Sequence, residues 1–160
     1  MSDKRGEILA KCIEILKSHE YTVDTSNDGT ENVRLYREHN EEKFALAEVD
    51  IVGLKKGVVQ LIVAIEENDT PKAILGDVAV VDMANACLVR EAGSDRKLQP
   101  LNKVVLFIVT PASNGSVKER ALMMLLRDSY NFMEGNLRDF IVTTEDEFEN
   151  ELADLELYVV

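Results

Sequence analysis

Residues 102–110 read NKVVLFIVT and stop at Pro111. A continuous run of β-branched and aromatic residues marks a strand covered on both faces, as at the centre of a parallel or mixed sheet. A chain that carries such a strand must also supply the layers that cover it.

Upstream, FALAEVDIVGL and GVVQLIVAIEE (residues 44–54 and 57–67) are rich in strand formers. Lys56-Gly57 between them predicts a tight hairpin, because glycine accepts a positive φ. NVRLYREH, residues 32–39, alternates apolar and polar residues and predicts another strand. Three successive antiparallel strands are therefore expected. Before them, Ile8, Leu9, Cys12, Ile13 and Leu16 fall on one helical stripe, which predicts a helix over residues 4–18 with Asp3 as its N-cap. After them, Thr70 can cap a helix and Pro71 suits its first position. Apolar residues on nearly every side from Ile74 to Val89 predict that this helix runs through residues 70–92, packed hard into the domain. Ser116 and Glu119 stand at capping-box spacing before a further helix. DFIVTT, residues 139–144, reads as a last strand, and Thr144 with Glu147 predicts the start of an acidic C-terminal helix.

The predicted order is helix, three strands, helix, strand, helix, strand, helix. Alternation in the second half implies parallel pairing there. The expected fold is thus α/β, a mixed central β-sheet flanked by helices on both faces, formed by residues 1–160 as a single domain with an acidic C-terminal helix. A chain of 160 residues that is 46% apolar can bury such a core. No apolar run is long enough to span a bilayer and the N-terminus shows no secretory signal, so a cytoplasmic protein without a membrane partner is expected.

Several chemistries are disfavoured. Cys12 and Cys87 lie in apolar surroundings without CxxC spacing and read as buried thiols. His19 and His39 form no ligand pattern for zinc and offer no nucleophile-elbow triad. The net charge of −12 opposes casual binding to nucleic acid or anionic membrane. Much of that charge lies in the terminal stretch EDEFENELADLE, leaving room for a local basic patch among Lys55, Lys56, Arg90, Arg96, Lys97, Lys103, Lys118 and Arg120.

The carboxylates of the hairpin carry the most specific signal. Asp50 lies on the second expected strand and Glu66 at the end of the third, so the hairpin can bring them side by side. Two acids converging at a sheet end repel unless a cation or a shared proton relieves them. Mg²⁺ or Mn²⁺ is the natural cation for carboxylate oxygens.

Helix, three strands, helix, strand resembles the core of the PD-(D/E)XK nuclease superfamily, the restriction-endonuclease-like fold with its αβββαβ core. EVDIVG through LIVAIEEN has the order and spacing of that family's motif. The resemblance implies Asp50 and Glu66 as ligands of Mg²⁺ or Mn²⁺, and an acid on the first helix, Glu7 or Glu14, as an assistant. It implies a metal-dependent endonuclease or phosphodiesterase acting on DNA or RNA, and a homodimer by analogy with relatives that cut two strands. The departures are Val49 before Asp50, a common variation, and Asn68 where the family has its catalytic lysine. Asn68, or Lys72 at the start of the next helix, would then have to orient the attacking water.

The alternative on the same fold is a non-catalytic regulatory or protein-interaction domain, with the acidic C-terminal helix as partner surface. The plainest reading of the same residues is structural: Asp50 a solvated strand residue, Glu66-Glu67 an edge-protecting charge pair, Asn68-Asp69 a turn.

Overall fold

The computed structural model describes residues 3–25, 33–67, 70–90, 95–112, 124–125, 127–128 and 135–158. Its elements are α1 (Asp3–Ser18), β1 (Thr22–Thr25), β2 (Arg34–His39), β3 (Glu42–Glu48), β4 (Ile51–Lys55), β5 (Val58–Ile65), α2 (Pro71–Met83), β6 (Ala86–Val89), β7 (Lys97–Pro100), β8 (Val104–Thr110), β9 (Leu137–Thr144) and α3 (Phe148–Tyr158).

The strands form two sheets. The main one has the order β1-β4-β5-β8-β9 and the second the order β3-β2-β6-β7. In the main sheet β1 pairs antiparallel with β4 and β4 with β5, whereas β5–β8 and β8–β9 are parallel. All seven residues of β8 are buried, as a strand covered on both faces must be.

Alternation along the strands sends side chains to two cores. Ile51, Leu61, Val63, Ile65, Val105, Phe107 and Val109 face α1 and α3, where the Phe107 and Phe148 rings meet edge to face at 5.2 Å. Val52, Ile62, Val104, Leu106 and Ile108 face α2 and residues of the second sheet, among them Leu35, Cys87 and Val89. Helices thus cover both faces, and the second sheet shares one face with α2.

Several local expectations hold. Lys56 and Gly57 both take positive φ, 53° and 77°, and close the β4–β5 hairpin. Thr70 Oγ1 accepts a hydrogen bond from the Ala73 N–H at 3.3 Å, and Pro71 opens α2. Cys12 and Cys87 are free and buried.

The identity of the three strands is different. The first strand of the main sheet is β1, from a stretch for which no strand was expected. The expected first strand, now β2, belongs to the second sheet. FALAEVDIVGL is not one strand but two, β3 and β4, which part at Val49-Asp50 and join different sheets. The helix expected over residues 70–92 ends at Met83. Ala84 is extended, and Ala86–Val89 continues as β6 against β2. Asn85 fixes the exchange by accepting from the Glu38 N–H at 2.8 Å and donating to the Glu38 carbonyl at 3.0 Å. The all-round apolar pattern therefore belonged to a buried helix followed by a buried strand. The C-terminal helix starts at Phe148, its first turn closed by Glu151 N–H on the Glu147 carbonyl, so the cap lies at Glu147 rather than Thr144. The expected capping box at Ser116 and Glu119 lies outside the described residues. No helix among the described residues is long and apolar enough to cross a membrane.

Candidate functional site: a carboxyl cluster held by Arg5

Asp50 occupies the break between β3 and β4 rather than a strand position. Glu66 immediately follows β5 and donates its N–H to the Val109 carbonyl at 2.9 Å, which fixes it at the carboxyl end of the parallel β5–β8 pair. Both residues line one cavity of about 170 Å³ with Arg5, Glu48 and Asp77. Its apolar wall includes Val80 and Val81 of α2. The hairpin register explains the meeting: Ile51 pairs with Val63, so Asp50 and Glu66 both stand just past the paired segment.

Arg5 ties the cluster together. Its Nη2 donates to Asp50 Oδ1 at 2.6 Å, and its Nη1 donates to the Ile65 carbonyl at 2.7 Å. Asp50 Oδ2 accepts from the Ile65 N–H at 2.8 Å. One guanidinium thus bridges the gap between β3 and β4 at Asp50 and the end of β5, and does so from α1. Charge-assisted forks of this kind are among the stronger hydrogen bonds in proteins.

One arginine does not balance the acids around it. Asp77, on α2, is pushed up to about 7 by burial, by a hydrogen bond with Glu66, and by the charges of Glu66 and Asp50, with Arg5 opposing. Its Oδ2 is buried without a hydrogen-bond partner. A raised Asp77 is the response of a carboxyl group whose surroundings lack a sufficient counter-charge.

The other expected site residues are placed differently. Lys72 is exposed on the first turn of α2 and is not among the residues lining the cavity. Asn68 lies outside the described residues. Glu7 and Glu14 are exposed on α1 and do not line the cavity; the first helix contributes Arg5 instead. Asp77 and Arg5 were not anticipated. Both carried a signal. Arg5 shares the helical stripe of Ile8, Leu9 and Cys12, where a charge is out of place, and Asp77 interrupts the apolar surface of α2.

Several cations of the expected basic patch are engaged within the fold, while Lys56 and Lys97 are exposed. Arg96 is 2% exposed and spends its guanidinium on Asp24 and the Thr25 carbonyl. Lys103 donates to the Gly135 carbonyl at 2.7 Å, and Lys55 sits 4.3 Å from the centre of the Tyr21 ring. Lys118 and Arg120 lie outside the described residues. Part of the acidic C-terminal segment is likewise used internally: Lys4 pairs with Glu145, Lys11 with Asp146, and His19 lies between Glu149 and Glu156.

A larger cavity of about 520 Å³ lies between β9 and α3, where Arg127 and Arg138 face Asp139, Glu151 and Asp154. Arg127 pairs with Asp139 there, so this cavity mixes charges where the smaller one concentrates acids.

Among the described residues no group of three or more His, Cys, Asp or Glu side chains is arranged to hold a metal ion. The donor set at the smaller cavity suits a lighter demand. Mg²⁺ commonly takes one or two carboxylates and completes its shell with water and substrate phosphate. Two hard oxygen donors, Asp50 and Glu66, beside an orphaned Asp77 oxygen and an uncompensated charge, fit that pattern.

No family model, no curated protein and no solved structure matches this chain.

Proposed function

We propose that the chain is a restriction-endonuclease-like domain of the PD-(D/E)XK type and a divalent-metal-dependent phosphodiesterase acting on DNA or RNA. The succession α1, β1, β4, β5, α2, β8, paired antiparallel, antiparallel and then parallel, supports the fold assignment. The observation that carries the function is the meeting of Asp50 and Glu66 in one cavity with a third acid, Asp77, that has to keep a proton. Buried acids short of counter-charge are costly, and sites of chemistry are where proteins retain them.

In this reading Asp50 and Glu66 hold Mg²⁺ or Mn²⁺. Such an ion, when bound, supplies stabilisation of charge on a phosphoryl oxygen and a more acidic water. Glu66 also joins the site to α2 through its hydrogen bond with Asp77, so a positive charge at Glu66 would favour ionised Asp77. Asn68 or Lys72 remains the candidate for orienting the water, in place of the family's lysine.

The Arg5–Asp50 pair supports a second reading, a non-catalytic domain on the same fold in which Arg5 permanently replaces the metal. Titration of Mg²⁺ and Mn²⁺ against nicking of plasmid and branched DNA separates the two. The first reading expects metal-dependent cleavage that Asp50→Ala abolishes. Cleavage unchanged in Asp50→Ala removes the site assignment, and calorimetry showing no divalent binding leaves the second reading.

A further inference from the structure

We propose that Arg5 is a built-in competitor for the divalent cation: it occupies Asp50 in the metal-free protein and must leave before the ion can bind there. This rests on the divalent-site reading above.

Asp50 has two oxygens, and both are taken. Oδ2 is held by the Ile65 N–H at 2.8 Å, which belongs to the hairpin itself. Oδ1 is held by Arg5 at 2.6 Å. A cation recruited to Asp50 Oδ1 therefore meets Arg5 there. The second Arg5 contact, to the Ile65 carbonyl, positions the guanidinium directly beside Glu66 in the chain.

The arrangement can open. The Arg5 and Asp50 side chains remain 31% and 22% exposed, so neither charge is stranded when the pair separates. Arginine carries a long stem that repositions its head without moving the helix. Once displaced, the planar fork stands at the rim of the same cavity, where it suits two oxygens of a phosphodiester. The exchange adds positive charge to a cavity lined by Glu48, Asp50, Glu66 and Asp77, because a divalent ion replaces a monovalent guanidinium.

The test compares Mn²⁺ binding by calorimetry in the full chain and in Arg5→Met, Arg5→Lys and Asp50→Asn. Removing a charge-assisted bond that the ion must break is expected to tighten binding roughly tenfold in Arg5→Met. Arg5→Lys, which keeps the charge but loses the fork, is expected to fall between Arg5→Met and the unaltered protein. Asp50→Asn is expected to bind weakly or not at all. Equal or weaker binding in Arg5→Met than in the unaltered protein would overturn the proposal while leaving the metal site standing. Absence of binding in both would remove the metal site itself, and the competitor with it. A second readout needs no variant. The side-chain Nε–H resonance of Arg5 should move as Mg²⁺ saturates the protein, and a resonance that stays in place at saturation counts against displacement.

Discussion

Two arginine–aspartate pairs in this molecule have similar chemistry and opposite surroundings. Arg96 and Asp24 are sealed, with side chains 2% and 6% exposed. Asp24 also accepts the Arg90 N–H at 2.8 Å, and Arg96 also reaches the Thr25 carbonyl at 2.9 Å. This pair ties β1 of the main sheet to the segments flanking β6 and β7 of the second sheet. Arg5 and Asp50 are partly open, and further carboxyls crowd the same cavity. A buried pair matched one to one in charge, and tied to neighbouring backbone, positions segments of chain. A pair beside surplus acid holds a charge imbalance that a ligand can resolve. Burial and stoichiometry, rather than the presence of an ion pair, separate a fastening from a candidate site.

The sharpest way to break this comparison is at the sealed pair. Arg96→Ala leaves the buried Asp24 carboxylate without its guanidinium, and loss of one partner of a buried pair costs about 3–5 kcal/mol. Urea unfolding should show that loss, with Mn²⁺ binding by the remaining folded protein unchanged. A loss under about 1 kcal/mol would show that the pair is not the fastening described here.

The open cluster makes a prediction about pH. Asp77 titrates at about 7 in the folded protein because burial and Glu66 favour its protonated form. The unfolded chain gives up the same proton at about pH 4. Between these values the folded state binds the extra proton, so this group's contribution to stability falls as pH rises from about 4 to about 7 and levels off above. In metal-free buffer, Asp77→Asn should lose less stability between pH 5 and pH 8 than the unaltered protein. Parallel declines in the two proteins would show that Asp77 is not raised.

The smallest effect belongs to a third pair, out in solvent. Arg34 and Glu48 lie 3.5 Å apart on β2 and β3 with about half of each side chain exposed. Arg34→Ala should change stability by no more than about 0.5 kcal/mol in urea unfolding. A larger loss would show that exposure does not grade these pairs.

Much of the main sheet was legible in sequence because its strands have no polar obligations. VVLFIVT could only be a covered strand, Lys56-Gly57 only a tight turn, and Thr70-Pro71 a helix start. The errors arose where polar residues do buried work. β1 was hidden because TVDT carries Asp24, whose partner Arg96 is 72 residues away in the chain. The continuity of FALAEVDIVGL concealed a change of sheet, since strand propensity reports extended backbone and not which neighbour it pairs with. The end of α2 was missed because a buried strand directly follows it and both are apolar. At the site, Asp50 and Glu66 were found by hairpin spacing. Arg5 and Asp77 depend on tertiary packing, yet each marked itself as a charge on an otherwise apolar helical face.

The central claim is that Asp50 and Glu66 form a divalent site that Arg5 fills in the metal-free protein. A crystal structure of the protein soaked in Mn²⁺ tests it most directly. The account predicts an anomalous peak between the Asp50 and Glu66 carboxylates, with Arg5 no longer on Asp50 Oδ1. Carboxylates too far apart to share one ion, or Arg5 still seated on Asp50 with no peak beside it, would contradict it.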